Sequence, residues 1–159
     1  MPVFDFFHWD KDKGYTLAET GAILQVTVGL PPALEQFCLQ KNIAIPTPVS
    51  GYALIDTGAS ASAVHEQIFT DFGVQPIDNI LMSTPHTRDK FSFVYPAKVQ
   101  FPGLNLSGEG ALTSMRVVGC ELKWTTFDDK EIIMLMGRDL LKFFLMVYNG
   151  VQSDITLAY

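Results

Sequence analysis

Cysteine is nearly absent from this chain of 159 residues, and the two present, Cys38 and Cys120, show neither a Cys-x-x-Cys spacing nor a Cys/His pattern suited to a metal. A disulfide framework is thereby excluded, and two buried free thiols are expected. His8, His65 and His86 are scattered, so no metal is assigned. Positive charge is scarce as well, with 11 Lys and Arg against 17 Asp and Glu and no basic run. A net charge of −6 offers no footprint for a phosphate backbone or an anionic membrane, so nucleic acid is not an expected partner. Long apolar runs are missing too. Those over 132–136 and 143–148 are separated by Gly137, Arg138, Asp139 and Lys142, and a membrane span needs about 20 residues. The N-terminus, MPVFDFFHWDKDKGY, interrupts its aromatics with acids and does not read as a signal segment. A cytoplasmic protein with no membrane partner is expected.

What is present is apolar character: 48% of residues are hydrophobic and 18% charged, enough to build one core. One domain over 1–159 is expected, with 1–20 as an N-terminal extension whose Phe4, Phe6, Phe7 and Trp9 serve packing. Residues 21–30 alternate as a half-buried strand does, and Pro31 and Pro32 end it and open a short helix over 33–41. Ser50-Gly51 predicts a turn before an apolar strand over 52–56, and 63–69 suits a helical turn or two. The polar stretch 83–90 predicts a hairpin tip between 80–82 and 91–95. Further short strands are expected over 98–101, 104–106, 112–118 and 121–127, with Val118-Gly119 among the breakers. A buried strand over 132–136, a brief helix over 138–144 and a hairpin turning at Asn149-Gly150 complete the chain. So many short strands argue for an all-β barrel or sandwich. The acidic turn of Asp128, Asp129 and Glu131 lacks a calcium-loop pattern and reads as solvated.

One segment carries chemistry. The strand Tyr52-Ala53-Leu54-Ile55 runs into Asp56-Thr57-Gly58-Ala59-Ser60: an acid at a strand end, a hydroxyl able to anchor a loop, and a glycine that lets backbone approach closely. Alone, Asp-Thr-Gly could be an ordinary turn. Later in the chain, however, Leu135-Met136-Gly137-Arg138-Asp139-Leu140-Leu141 places two large apolar residues before Gly-Arg. Together the two segments resemble the retropepsin-like aspartic proteases, the retroviral proteases and their cellular and bacterial relatives.

That resemblance implies an all-β acid-protease closed barrel with one short C-terminal helix, assembled as a homodimer with one active site at its interface. Asp56 would be the catalytic carboxylate, and because the chain does not repeat its Asp-Thr-Gly segment, a second copy would supply the other. Thr57, Gly58, Ala59 and Ser60 would form the active-site loop, Thr57 bonding across the two-fold axis and Gly58 lining the channel through its carbonyl. Leu135, Met136 and Gly137 would pack beneath the loop, and Arg138 would tie the short helix to the loop or to the neighbouring subunit. Ser83, Thr84, Pro85, His86 and Thr87 would form the flap over a peptide or protein substrate, without the glycines of retroviral flaps. No cofactor is implied. Ser60 stands where many retroviral members carry an Asp that pairs with the helix arginine, so Asp139 or another acid is expected as the partner of Arg138. The stretches 1–20 and 31–48 have no counterpart in the resemblance. The alternative is a non-catalytic dimerisation or peptide-binding module of the same fold.

Overall fold

The computed structural model describes residues 6–8, 16–83, 88–104, 111–122, 124–126 and 129–158. Its strands are β1 (Phe6–His8), β2 (Ile23–Gly29), β3 (Val49–Ile55), β4 (Ala63–His65), β5 (Asp78–Met82), β6 (Lys90–Gln100), β7 (Ala111–Cys120), β8 (Trp124–Thr125), β9 (Glu131–Met136), β10 (Leu145–Asn149) and β11 (Asp154–Ala158). Four short helices join them: α1 (Leu17–Thr20), α2 (Pro32–Gln40), α3 (Gln67–Asp71) and α4 (Arg138–Leu141). The fold is all-β, with α4 as the short helix expected near the C-terminus.

Six strands close on themselves in the order β2-β3-β9-β4-β7-β6, with β6 returning to β2 through Thr27–Gln100, Val28–Val99 and Gly29–Lys98. The barrel is mixed: β3 runs parallel to β9 and β4 parallel to β7, and its other pairs are antiparallel. Closure leaves these strands no free edge, and alternate residues turn inward. Val26, Val28, Ala53, Val64, Ala97, Val99, Val117, Met134 and Met136 thus form one core. A smaller sheet, β1-β11-β10, packs Leu157 and Met146 against that core.

Strand β6 serves two neighbours on one edge. Lys90–Val94 pair with β5 and Lys98–Gln100 with β2, and Pro96 falls in the gap between them, where its missing N–H breaks no bond to either. The β5–β6 hairpin projects from the barrel, and its base is anchored by Tyr95. That ring stacks on Phe69 of α3 at 4.4 Å, and its hydroxyl donates to Glu66 at 2.9 Å. Burial and the Glu66 carboxylate push the Tyr95 phenol up to about 12.

Several expectations need correction. Ser50 and Gly51 lie inside β3, because a bare glycine there makes room for Ile133, whose side chain would meet an added Cβ at 2.9 Å. Gly119 likewise lies inside β7, leaving space for the Tyr95 ring at 2.6 Å. Ala63, Val64 and His65 are strand, not helix, because the barrel needs β4 between β9 and β7; the helix begins only at Gln67. Residues 91–95 and 98–101 are not separate strands, since one β6 runs through Pro96, and Leu104 sits in a bend. Of 121–127, only Trp124 and Thr125 are strand among the described residues. The first 20 residues contain β1 and α1. Cys38 and Cys120 are free, yet half-buried instead of buried. Burial pushes the Cys120 thiol up to about 11.

Candidate active site

The loop that follows β3 begins where the parallel ladder with β9 ends, the Asp56 amide donating to the Met136 carbonyl at 3.0 Å. The half-buried Asp56 carboxylate then organises its own loop, one oxygen, Oδ1, accepting the amides of Gly58 at 2.9 Å and Ala59 at 3.3 Å. Such an Asx turn holds the acid in a set orientation without neutralising it. No hydrogen bond to Oδ2 is made among the described residues. Thr57, Gly58 and Ser60 are exposed along the rim, and Ala59 is half-buried.

Helix α4 grips this loop from below with two residues of opposite charge. The Arg138 guanidinium donates from Nη1 to the carbonyls of Thr57 at 2.8 Å and Gly58 at 3.0 Å, and the Arg138 amide donates to Ala59 at 2.9 Å. Arg138 therefore has backbone partners where an acid was expected. Asp139 is engaged elsewhere: its carboxylate accepts the Ser62 hydroxyl at 2.6 Å, the Ser62 amide at 2.9 Å and the Leu140 amide at 2.9 Å. Ser62 is fully buried, and its Oγ accepts the Gly137 amide at 3.0 Å; among the described residues no buried side-chain polar atom is left unpaired.

Gly137 is where loop and helix meet most closely. A Cβ there would lie 2.6 Å from the Ala61 carbonyl carbon and 2.7 Å from its oxygen, both backbone atoms. Met136 is buried in the main core. Leu135, half-buried on the opposite face of β9, packs against a cluster of Ala63, Val118 and Leu122, on which Ala61, Ile80 and Met82 also lie. This apolar cluster runs from Ala61, just past the Asp56 loop, to Ile80 and Met82 of β5.

The geometry brings together Asp56, Thr57, Gly58, Ala59, Leu135, Met136, Gly137 and Arg138. The hairpin residues are less fully drawn. Ser83 accepts the Asp89 amide at 3.5 Å, and Thr84, Pro85, His86 and Thr87 lie outside the described residues. Ser62 and Asp139 are the residues sequence reasoning missed as a pair. Asp139 was visible beside Arg138, but only the fold reveals that a buried serine three residues past Ala59 is its partner. Among the described residues no three His, Cys, Asp or Glu side chains gather as metal ligands, and His65 Nδ1 accepts the Leu122 amide at 3.4 Å. No helix of the described residues is long and apolar enough to cross a membrane.

No protein-family model matches this chain, and no curated protein is found to match it. Among solved structures it is similar to the crystal structure of a retropepsin-like aspartic protease from Rickettsia conorii, with 12% sequence identity and a TM-score of 0.48. That alignment covers 100% of this chain and 96% of the other.

Proposed function

We propose that two copies of this chain form one aspartic endopeptidase site, each supplying Asp56. The observation that carries the reading is the state of that carboxylate: two backbone amides orient one oxygen at an exposed loop rim, and the other oxygen is uncommitted among the described residues. A single carboxylate is a poor catalyst of amide hydrolysis, but two facing ones that share a proton divide the work. The ionised member takes a proton from a water as its oxygen attacks the scissile carbonyl carbon. The protonated member passes its proton to the carbonyl oxygen, giving a tetrahedral diol. The diol then collapses: the member that took the water's proton gives it to the leaving nitrogen, the other takes back a hydroxyl proton, and the C–N bond breaks to an acid and an amine with no covalent enzyme intermediate.

The surroundings support this division of labour. Arg138 holds the Thr57 and Gly58 carbonyls, so the loop cannot rotate its amides away from Asp56. Thr57 is exposed, as a hydroxyl that bonds across a two-fold axis would be in one protomer. The substrate is an extended peptide held by strand-like backbone bonds, with the β5–β6 hairpin closing over it to exclude water.

The test is cleavage of a diverse peptide library by wild type and by Asp56→Asn between about pH 3 and 8, read by mass spectrometry with and without pepstatin. The variant should lose about a thousandfold or more in rate. The wild-type profile should be bell-shaped, because the pair works with one proton and not with none or two. Equal cleavage by both proteins would sink the mechanism, and a library left uncut by wild type would favour a peptide-binding module.

A further inference from the structure

Strands β6 and β7 part at one point. They pair from Gln100–Ala111 up to Val94–Val118, and beyond that Gly119 and Cys120 of β7 pair with Val64 and His65 of β4. Among the described residues Lys90 to Phe93 pair only with β5, so the β5–β6 hairpin leaves the barrel at Val94. Past that point it has little support. Ile80 and Met82 lie on the cluster of Ala63, Val118 and Leu122, but Leu81, Phe91 and Phe93, on the other face, are half or more exposed. A projecting hairpin of this kind takes its direction from its root.

Two contacts hold that root, one on each face of β6, because successive side chains of a strand point to opposite faces. On the face of Val94 and Pro96, Arg116 of β7 donates to Asp78 of β5. Both side chains are exposed, so solvent screens this pair. On the opposite face Tyr95 is only 6% exposed. Its ring fills the space that Gly119 leaves bare, stacks on Phe69 of α3, and carries its hydroxyl to Glu66. Glu66 is fixed in turn, its amide donating to the Cys120 carbonyl at 3.0 Å. The raised phenol keeps its proton throughout the range of the cleavage assay and so remains a donor.

We propose that Tyr95, held by Glu66, is a positioning residue for the substrate: it fixes the angle of the β5–β6 hairpin relative to the Asp56 loop. Loop and hairpin meet on one cluster, through Ala61 on one side and Ile80 and Met82 on the other, so a hairpin set at its root presents a preformed cleft. An extended peptide then binds without first ordering the hairpin, and that saving appears in affinity. The substrate role rests on the peptidase reading; the fixing of the hairpin does not.

Three variants test it. Tyr95→Phe keeps the ring and its stack and removes the hydroxyl, Glu66→Ala removes the acceptor, and Glu66→Gln keeps one. Amide hydrogen exchange read by mass spectrometry should be at least about tenfold faster over 78–82 and 90–94 in Tyr95→Phe and Glu66→Ala, and close to wild type in Glu66→Gln, with β2 and β3 unchanged in all three. Exchange that rises equally in β2 and β3, or a hairpin unaltered in Tyr95→Phe, would overturn the proposal. In peptide cleavage Tyr95→Phe should raise KM at least about fivefold and leave kcat within about twofold. Cleavage that depends on Asp56 while KM stays at the wild-type value overturns the positioning role and leaves the peptidase standing. A hairpin loosened as expected in a protein whose wild type cleaves nothing removes the peptidase and the substrate role with it, and keeps Tyr95 as the fixing point of the hairpin.

Discussion

Strand β3 leaves its two ends in opposite ways. At its C-terminal end, Asp56 to Ser62 are bonded to α4 at almost every turn, by the Arg138 fork, by the Asp139 carboxylate and by the contact at Gly137. At its N-terminal end stands α2, a helix of 9 residues with none buried, joined to the barrel by a Lys98–Glu35 pair at 3.9 Å. Proline at its start and good helix formers after it sustain that helix, and Phe37 and Leu39 face water. The difference teaches where this fold demands precision. On the proposed reading Asp56 must keep its orientation to meet a second carboxylate, and beneath its loop Ser62 and Gly137 are buried and hydrogen-bonded to each other. Nothing comparable constrains the far end, where an insertion can change without disturbing the barrel.

Breaking the precise end should cost most. Gly137→Ala drives a methyl into the Ala61 backbone and should cost about 3 kcal/mol in chemical denaturation, with loss of the loop geometry; a loss below about 1 kcal/mol would mean that the loop yields freely. Next comes Ser62→Ala, which strands the buried Gly137 amide and removes a donor from Asp139, at about 2 kcal/mol. Ser62→Thr, which keeps the hydroxyl, should recover most of that in the same measurement. The smallest effect belongs to the other end: Leu39→Ser, at a side chain 65% exposed, should stay within about 0.5 kcal/mol of wild type. A loss as large as that of Ser62→Ala would erase the contrast and show that α2 is covered in the working protein.

Much of this was legible in advance. The strand over β2, the helix α2, the buried β9, the Gly137 break and the last hairpin follow from alternation, proline placement and the Asn149-Gly150 turn. The misreadings share one cause. Gly51 and Gly119 look like turn glycines in isolation, but their use is to admit Ile133 and Tyr95 across a sheet. The helical pattern in 63–69 was overruled over its first three residues because the barrel's sixth place had to be filled by strand. In the candidate site, Asp56 and Arg138 announce themselves by their motifs, whereas Ser62 is one small polar residue among many until its burial is known.

By itself the sequence determined the all-β character, the single Asp-Thr-Gly segment and the apolar pair before Gly-Arg, because alternation, composition and short motifs are local properties of the chain. Only the tertiary structure decided that Arg138 holds backbone carbonyls, that Asp139 belongs to Ser62, and that β11 lies between β1 and β10. Those outcomes depend on which distant segments the closed barrel brings within hydrogen-bonding reach, and no local pattern carries that information.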